Sequence, residues 1–324
     1  MAEKVYDTIM IGAGPAALAA AVYTTREDIS TLLIEKGVVG GLAAITDWVD
    51  NYPGFAKGIS GLDLAQALEA QAERFGAEIK LGEVSNIIDE GDHKRIATTD
   101  GDVLARTVLI ATGTDYKRLG IPGEDTYYGR GVHFCATCDG AFYRDKRLVV
   151  VGGGNSAVQE ALFLTKFATH IDMLVRSQLR ASDVLIHELE KNSKITVHLG
   201  VTPDEIAGEG NKVTKVIGTK DGRKVEYPTD GVFVFIGLKP NTQFLQGKKG
   251  IELDQFNFVK TNDQLETNIS GVFCAGDVRS GATMQIATAV GEGATAALKI
   301  REYLEAKDRN LAHAEPHYVA EQQQ

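Results

Sequence analysis

The sequence predicts an α/β protein made of two Rossmann-like, three-layer nucleotide-binding domains, with the second domain inserted into the first. An apolar strand, a glycine-rich turn and an apolar helix follow one another at residues 6–26, and the same pattern returns at residues 147–167. A chain of 324 residues is also too long for one ordinary core. We expect the first domain at residues 1–117 and 247–324, and the second domain at residues 118–246.

Composition and charge narrow the classes of function. Hydrophobic residues make up 44% and charged residues 24% of the chain, as in ordinary globular proteins. The net charge of −10 argues against a binder of nucleic acid or of anionic membrane surfaces. No apolar stretch is long enough to span a bilayer, and the first apolar run leads into a glycine-rich turn rather than a cleavage site. We therefore expect a cytoplasmic protein.

The turn at residues 12–17 has the spacing Gly-x-Gly-x-x-Ala, between a strand at residues 6–11 and a helix that ends near residue 26. Glycines at this spacing let backbone N–H groups approach a pyrophosphate at the start of a helix. The next strand, at residues 30–34, is followed by Glu35, where an acid can accept hydrogen bonds from a ribose. The motif predicts a dinucleotide site, and a tight turn without a ligand is the alternative.

The turn at residues 152–157 repeats the spacing and the context, which predicts a second nucleotide site. Here the strand after the helix ends at Val175 instead of an acid, and Arg176 and Arg180 follow it. Arginines at this place favour a nucleotide with a 2′-phosphate. A solvated turn without a role in binding is the alternative for both arginines.

Cys135 and Cys138 stand two residues apart and are followed by Asp139. In an intracellular chain this spacing indicates redox chemistry or a metal site. A redox pair would alternate between disulfide and dithiol, with Asp139 moving a proton to or from the departing sulfur. Zinc, with His133 as the nearest further ligand, and an inert pair are the alternatives. The third cysteine, Cys274, is expected to be a buried apolar residue.

The order and spacing of seven motifs resemble the low-molecular-weight bacterial thioredoxin reductase family over nearly the whole chain. The most specific of them is Cys-Ala-Thr-Cys-Asp-Gly. The motifs lie at residues 12–17, 40–41, 51–54, 110–113, 135–140, 152–157 and 275–278. The resemblance implies an FAD-dependent thioredoxin-disulfide reductase that passes electrons from NAD(P)H through FAD to the Cys135–Cys138 disulfide and on to thioredoxin.

The resemblance also implies the role of individual residues. Cys138 would be the sulfur on the flavin side, Cys135 would attack thioredoxin, and Asp139 would be the acid and base. The family is typically a homodimer. FAD would lie in the first domain on Gly12, Gly14, Pro15, Ala16, Ala17, Glu35, Lys36, Gly41, Leu42, Asn51, Thr112, Gly113, Gly276, Asp277, Gln285 and Ile286. The pyridine nucleotide would lie in the second domain on Gly152, Gly154, Asn155, Ser156, Ala157, Arg176 and Arg180.

The chain departs from the family pattern in three places. The arginine motif that binds NADPH in the family retains Arg176 and Arg180 but has Val175 in place of a further arginine. Near the flavin, Leu42 and Met284 stand where the family usually has glutamine and arginine. These departures leave NADH or reduced ferredoxin open as the electron donor in place of NADPH. An FAD/CxxC redox sensor without sustained turnover is the remaining alternative.

Overall fold

A computed structural model divides the chain into two compact units, one formed by residues 1–115 and 240–324, the other by residues 116–239. Both units contain strands and helices. The structure describes residues 4–46, 48–245 and 250–314, with side chains as far as residue 309.

The elements are named in chain order. Up to the first connection they are β1 (Val5–Ile11), α1 (Pro15–Thr25), β2 (Thr31–Glu35), α2 (Gly41–Ala44), α3 (Gly61–Arg74), β3 (Glu78–Leu81), β4 (Val84–Asp89), β5 (Lys94–Thr98), β6 (Val103–Ile110) and β7 (Thr114–Tyr116). The middle unit contains β8 (Val132–His133), α4 (Ala136–Asp139), a 3₁₀ turn (Gly140–Tyr143), β9 (Arg147–Val151), α5 (Asn155–Leu164), β10 (His170–Val175), α6 (Asp183–Lys191), β11 (Ile195–Leu199), β12 (Val201–Glu209), β13 (Lys212–Lys220), β14 (Arg223–Pro228) and β15 (Gly231–Val234). The return comprises β16 (Leu238–Pro240), a second 3₁₀ turn (Gln243–Leu245), β17 (Val272–Cys274) and α7 (Ile286–Ala314).

The unit boundaries differ from the domain limits expected from the sequence. The chain passes between the units at 115/116 and 239/240, not at 117/118 and 246/247. The second passage comes earlier because β16 pairs with β7, and because Phe244 and Leu245 already pack in the core of the first unit. Residue 246, where the expected domain ends, lies outside the described residues.

The first unit is built on a parallel sheet in the order β3-β2-β1-β6. The amino-terminal half of β6 pairs antiparallel with β5 of the β4–β5 hairpin, and its carboxy-terminal half pairs parallel with β17. The carboxyl ends of β1, β2, β6 and β17 therefore share one edge of the sheet. Open α/β sheets bind their ligands at this edge.

Alternate residues of the parallel strands pack on opposite faces of the first sheet, which gives three layers. Met10 and Leu33 pack under helices α1 and α7. Their neighbours Ile9 and Leu32 face the other way and contact the β4–β5 hairpin through residues such as Ile96. Both faces are apolar because both are covered, as is usual for parallel sheets.

The middle unit repeats this construction. Its sheet has the order β11-β10-β9-β15-β8 and is parallel throughout. Val150 packs with helices α5 and α6, whereas Val149 packs with the antiparallel sheet β12-β13-β14 through residues such as Val216. The prediction of two Rossmann-like, three-layer domains, with the second inserted into the first, is confirmed.

The apolar pattern of the sequence predicts helices at residues 158–167 and 286–304, and the structure differs from both predictions. Helix α5 begins at Asn155, directly after Gly154, and not at residue 158. Helix α7 continues to Ala314 instead of ending near residue 304, because good helix formers continue and no glycine or proline interrupts them before Pro316. None of the helices in the described residues combines the length and the apolarity that a membrane span requires.

A single glycine sets the distance between the two central helices of the first unit. A Cβ at Gly293 of α7 would lie 2.0 Å from the carbonyl oxygen of Ala16 in α1. Gly291, two residues earlier in the same helix, would place a Cβ in open space, with no atom within 4 Å. Because Ala16 belongs to the turn that opens α1, this contact also fixes the start of that helix.

We expect Gly293→Ala to lower the free energy of unfolding by about 1–3 kcal/mol, because the added methyl group must push α7 away from α1. Gly291→Ala is the matched control, and we expect it to raise the stability by up to about 1 kcal/mol through helix propensity alone. Urea unfolding followed by circular dichroism measures both changes. Equal effects of the two substitutions would contradict the role assigned to Gly293.

Candidate functional site

The turn at residues 12–17 joins β1 to α1 at the carboxyl edge of the first sheet. Gly12 has a φ of +96°, and a Cβ there would lie 2.5 Å from the carbonyl oxygen of Ala111, just after β6. Gly14 has a φ of −78°, and a Cβ there would meet nothing within 4 Å. The fold therefore requires the first glycine but not the second. A ligand that approaches the backbone at the start of α1 accounts for Gly14.

Glu35 is held firmly at the end of β2. One carboxylate oxygen accepts a hydrogen bond from the Ala13 N–H at 2.8 Å, and the other accepts one from the Gly37 N–H at 2.7 Å. Each oxygen keeps a free lone pair for a ligand hydroxyl. Glu35 and Lys36 line a cavity of about 90 Å³ beside the turn. The other lining residues include Gly12, Glu83, Thr112 and Asn241.

The residues expected around a flavin come from loops far apart in the chain. Gly40 and Gly41 have φ values of +96° and +55° and lead into α2, which carries Leu42. The Asn51 side-chain amide donates a hydrogen bond to the Gln285 side-chain oxygen at 3.1 Å, which ties the loop before α3 to the start of α7. The remaining expected residues stand at element ends of the same unit: Thr112 and Gly113 after β6, Gly276 and Asp277 after β17, and Ile286 at the first position of α7.

Asp277 is a carboxylate without a hydrogen-bond donor among the residues that the structure describes. Its neighbours are fixed by Glu292 of α7, which accepts a hydrogen bond from the Gly276 N–H at 2.8 Å and pairs with Arg279. Burial, reinforced by the charge of Glu292, raises the pKa of Asp277 from 3.8 to about 6. Hydroxyl donors of a bound ligand would relieve this desolvation, so the residue fits the ribityl chain of a flavin.

In the turn at residues 152–157, as in the first turn, the fold requires the first glycine but not the second. Gly152 has a φ of +145°, and a Cβ there would lie 2.4 Å from the carbonyl oxygen of Phe235 and 2.8 Å from the Ala157 Cβ. Gly154 has a φ of −90°, and a Cβ there would meet nothing within 4 Å. Asn155 accepts a hydrogen bond from the Ser182 N–H at 2.8 Å, which closes the loop after β10 onto the start of α5.

A cleft of about 880 Å³ lies beside this turn and is positively charged. Arg176 and Arg180 line it and are exposed. Lys117 and Arg118 are its other basic residues, and no carboxylate is found among the described residues that line it. Val175 is buried at the end of β10. Four cations without a counter-charge suit a phosphorylated ligand.

Cys135 and Cys138 form a disulfide, with the sulfur atoms 2.06 Å apart. The Cys138 N–H donates a hydrogen bond to the Cys135 Sγ at 3.2 Å across the short helix α4. Both residues are half-buried. Within the described ranges no group of three or more His, Cys, Asp or Glu side chains is arranged to hold a metal ion. Cys274 is a free, fully buried cysteine, and burial raises the pKa of its thiol.

Asp139 follows the disulfide and faces a buried histidine. Its carboxylate lies 3.3 Å from Nδ1 of His133, and the other ring nitrogen of His133 lies 2.7 Å from the Tyr143 hydroxyl. The ring of His133 is thus directed at an acid and a phenol. Gly140, the last residue of the motif, has an ordinary φ of −59°. A Cβ there would lie 2.8 Å from the Leu164 side chain, so this glycine lets the motif lie against the end of α5.

Two nucleotide-binding folds, one of which carries a disulfide next to an acid, define a flavoprotein disulfide reductase. The family model described as pyridine nucleotide-disulphide oxidoreductase matches residues 6–293, so the chain belongs to that family. Within it, the chain belongs to the low-molecular-weight thioredoxin reductases, as three relatives show.

The thioredoxin reductase of Bacillus subtilis is 43% identical over 312 residues, which cover 95% of this chain and 98% of that protein. The crystal structure of thioredoxin reductase from Streptococcus pyogenes is 41% identical, with a TM-score of 0.88 over 93% of this chain and 99% of that one. Thioredoxin reductase from Giardia duodenalis is 32% identical, with a TM-score of 0.89 over 94% of this chain and 100% of that one. The resemblance recognised in the sequence is confirmed, and the comparisons do not favour a sensor or a ferredoxin-driven enzyme.

Some residues of the site were not predicted from the sequence. Glu292 and Arg279, which fix the loop of Asp277, stand in a helix and a turn with no recognisable motif. Lys117 likewise carries no signal of its own. The one available signal was for Tyr143, because it follows the cysteine motif closely enough to share its turn.

The raised pKa of Asp277 has a consequence for stability. A carboxyl group whose folded-state pKa is raised destabilises the fold when it ionises, so the cost is absent below about 3.8 and complete above about 6. Asp277→Asn removes this cost. We expect it to stabilise the flavin-free protein by up to about 3 kcal/mol at neutral pH, with little gain at about pH 4.

Asp254, in the same unit, provides a control of opposite sign. Burial alone would raise its pKa, but hydrogen bonds from the Ser280 hydroxyl and from the N–H groups of Phe258 and Phe256 outweigh burial and lower it. Asp254→Asn should therefore destabilise the protein at neutral pH and lose this effect in acid. Thermal unfolding across this pH range measures both variants. A gain for Asp277→Asn that does not change with pH would contradict the account.

Proposed function

We propose that this FAD-dependent disulfide reductase takes electrons from NADPH and delivers them to thioredoxin. The observation that carries the proposal is the pair of glycines, Gly14 and Gly154, that neither backbone strain nor packing explains. Each opens a helix of a separate unit, so each unit has a place for one nucleotide. The disulfide belongs to the unit of Gly154.

The first unit fits FAD. Gly14 leaves room for a pyrophosphate at α1, Glu35 offers oxygens to a ribose, and Asp277 offers a desolvated carboxylate to ribityl hydroxyls. FAD bound there would supply the two-electron carrier between the nicotinamide and the disulfide. Leu42 places an apolar side chain in this region, which would help to keep water away from the ring.

The cysteine pair would act in two steps of thiol–disulfide exchange. Two electrons and two protons convert the Cys135–Cys138 bond into two thiols. The Cys135 thiolate then attacks a thioredoxin sulfur, which breaks the thioredoxin disulfide and forms a mixed disulfide. Cys138 attacks Cys135, which restores the Cys135–Cys138 bond and frees the second thioredoxin sulfur. Both protons end on thioredoxin, and Asp139 is the group placed to move them.

NADPH is the donor that the second cleft fits best. Arg176 and Arg180 line the cleft and are exposed, so they can contact a 2′-phosphate, and the described lining of the cleft contains no carboxylate that would repel it. Val175 removes one cation from the family pattern but adds no negative charge.

The proposal also covers the protein substrate, the oligomeric state and the cellular location of the enzyme. Phe142 is 54% exposed four residues after Cys138 and offers an apolar contact to a protein substrate. We place the enzyme in the reducing cytoplasm, where a CxxC pair works as a catalytic couple, and we expect it to act as a homodimer, as the sequence resemblance implies.

An anaerobic titration of the purified yellow protein tests the donor. We expect NADPH to bleach the flavin absorbance at lower concentration than NADH does. Arg176→Ala should raise the NADPH concentration for half-bleaching by about 10–100-fold, because a charge-assisted contact to the phosphate is lost, and should leave the NADH value unchanged.

Arg223→Ala is the control for this titration, since Arg223 is exposed on β14 and lies outside the cleft. It should change neither value. Bleaching by dithionite but by neither nucleotide would contradict the proposal and would direct the search to a protein donor such as ferredoxin.

A further inference from the structure

His133 is a buried histidine on an edge strand, beside the disulfide. It is 7% exposed and ends β8, two residues before Cys135. In the parallel pairing of β8 with β15 it stands opposite Phe233, and the two rings stack with centroids 5.2 Å apart. A buried imidazole needs a partner for each nitrogen, so the groups around it set its orientation.

The two nitrogens have partners of different character. Nδ1 lies 3.3 Å from a carboxylate oxygen of Asp139, which can only accept a proton when ionised. Nε2 lies 2.7 Å from the Tyr143 hydroxyl, which can either donate or accept. If Tyr143 donates to Nε2, the neutral ring carries its proton on Nδ1, the nitrogen that faces Asp139. The charged ring satisfies both partners as well.

Tyr143 is the neutral partner of His133, and packing holds its ring in place. Burial, followed by the negative charges of Asp139 and Asp230, raises the pKa of its hydroxyl, so Tyr143 stays a phenol through the physiological range. Gly231 of β15 makes room for its ring, because a Cβ there would lie 2.3 Å from a ring carbon. Tyr143 also meets His133 edge-on, with centroids 5.3 Å apart.

We propose that His133 is a positioning residue for Asp139 in the exchange reaction. Its Nδ1 lies 3.3 Å from the Asp139 carboxylate and holds that group in one rotamer, next to the cysteine pair in the chain. Tyr143 fixes the tautomer of His133 from the other side. This inference rests on the proposed function, because it assigns a task to the acid and base of that reaction.

The other charged and titratable groups around this array come from several elements. Asp139 and Asp230 both act on Tyr143. Burial is the main cause of the raised pKa of Tyr128. The charge of Arg118 lowers that pKa and the charge of Asp139 raises it. Glu160 of α5 accepts a hydrogen bond from the Ala136 backbone, and its pKa is raised by burial. None of these replaces the contact between His133 and Asp139, which is the only close cation-capable contact of that carboxylate among the described residues.

The role of His133 in the exchange follows from the path of the protons. When a thiol of the reduced pair becomes a thiolate, its proton passes to the Asp139 carboxylate, and the proton then goes to the leaving sulfur of the acceptor. His133 takes no part in this proton transfer. Its contribution is to hold the Asp139 carboxylate where it can accept the thiol proton, and a variant without Nδ1 loses that partner of the charged carboxylate.

The test is a single-turnover reaction of the pre-reduced protein with 5,5′-dithiobis(2-nitrobenzoate), an aromatic disulfide, between about pH 5 and 9. We expect His133→Phe, which keeps a ring on Phe233, to move the acid limb of the rate profile up by about one pH unit and to slow the reaction about tenfold below its midpoint. Tyr143→Phe removes only the hydroxyl and should move the limb less, in the same direction. His133→Asn keeps an N–H at the position of Nδ1 and should restore the wild-type profile.

His198→Asn is the matched control. Its Nε2 lies 2.8 Å from Asp172, so it removes a histidine–aspartate pair of the same unit, from β11 at the opposite edge of the sheet. It should leave the profile unchanged. A uniform loss of rate in His133→Phe, with an unmoved acid limb, would overturn the proposal. This reaction uses neither NADPH nor thioredoxin, so failure of the proposed function would appear separately, as absent thioredoxin reduction with an intact exchange profile.

Discussion

The close approach of two backbone segments at the carboxyl edge of each sheet is the constraint on which the rest of the molecule depends. A Cβ at Gly12 would lie 2.5 Å from the carbonyl oxygen of Ala111, and a Cβ at Gly152 would lie 2.4 Å from that of Phe235. Any side chain at either position would separate the turn from the neighbouring strand and would tilt the helix that follows. Because each turn lies close to the neighbouring strand, the helix after it begins at the carboxyl edge of the sheet. The first backbone N–H groups of α1 and α5 then face the open space beyond the strands. That space is where phosphates can bind.

The same construction serves two purposes in the two units. In the first, the edge carries Glu35 and Asp277, whose oxygens suit the hydroxyls of a long, flexible cofactor. In the second, the edge carries Arg176 and Arg180, whose charges suit a phosphate. The disulfide is attached to the second unit through β8, its edge strand. In the proposed function, the first unit would hold the flavin that carries the electrons, and the second unit would hold the nucleotide that donates them and the disulfide that passes them on.

Much of this could be predicted from the sequence because the decisive features are local. A glycine-rich turn between a strand and a helix spans few residues, and its spacing alone indicates its conformation. The limits of α7 and of the second connection were predicted less well, because they depend on helix propensity beyond the apolar stripe and on the pairing of β16 with β7. The contact of His133 with Tyr143 requires Gly231, which is distant in the chain and comes close only through the register of β8 and β15. No local pattern encodes such a contact.

The central claim is that electrons reach the acceptor through the Cys135–Cys138 pair, and a reductive titration of Cys138→Ser beside the wild type tests it most directly. Dithionite should reduce the wild-type protein by one electron pair more than the variant, because only the wild type has a disulfide to reduce in addition to its flavin. NADPH should still bleach the flavin of the variant, while thioredoxin reduction should fall to background. Equal uptake of electrons by the two proteins, or thioredoxin reduction that survives in Cys138→Ser, would contradict the account.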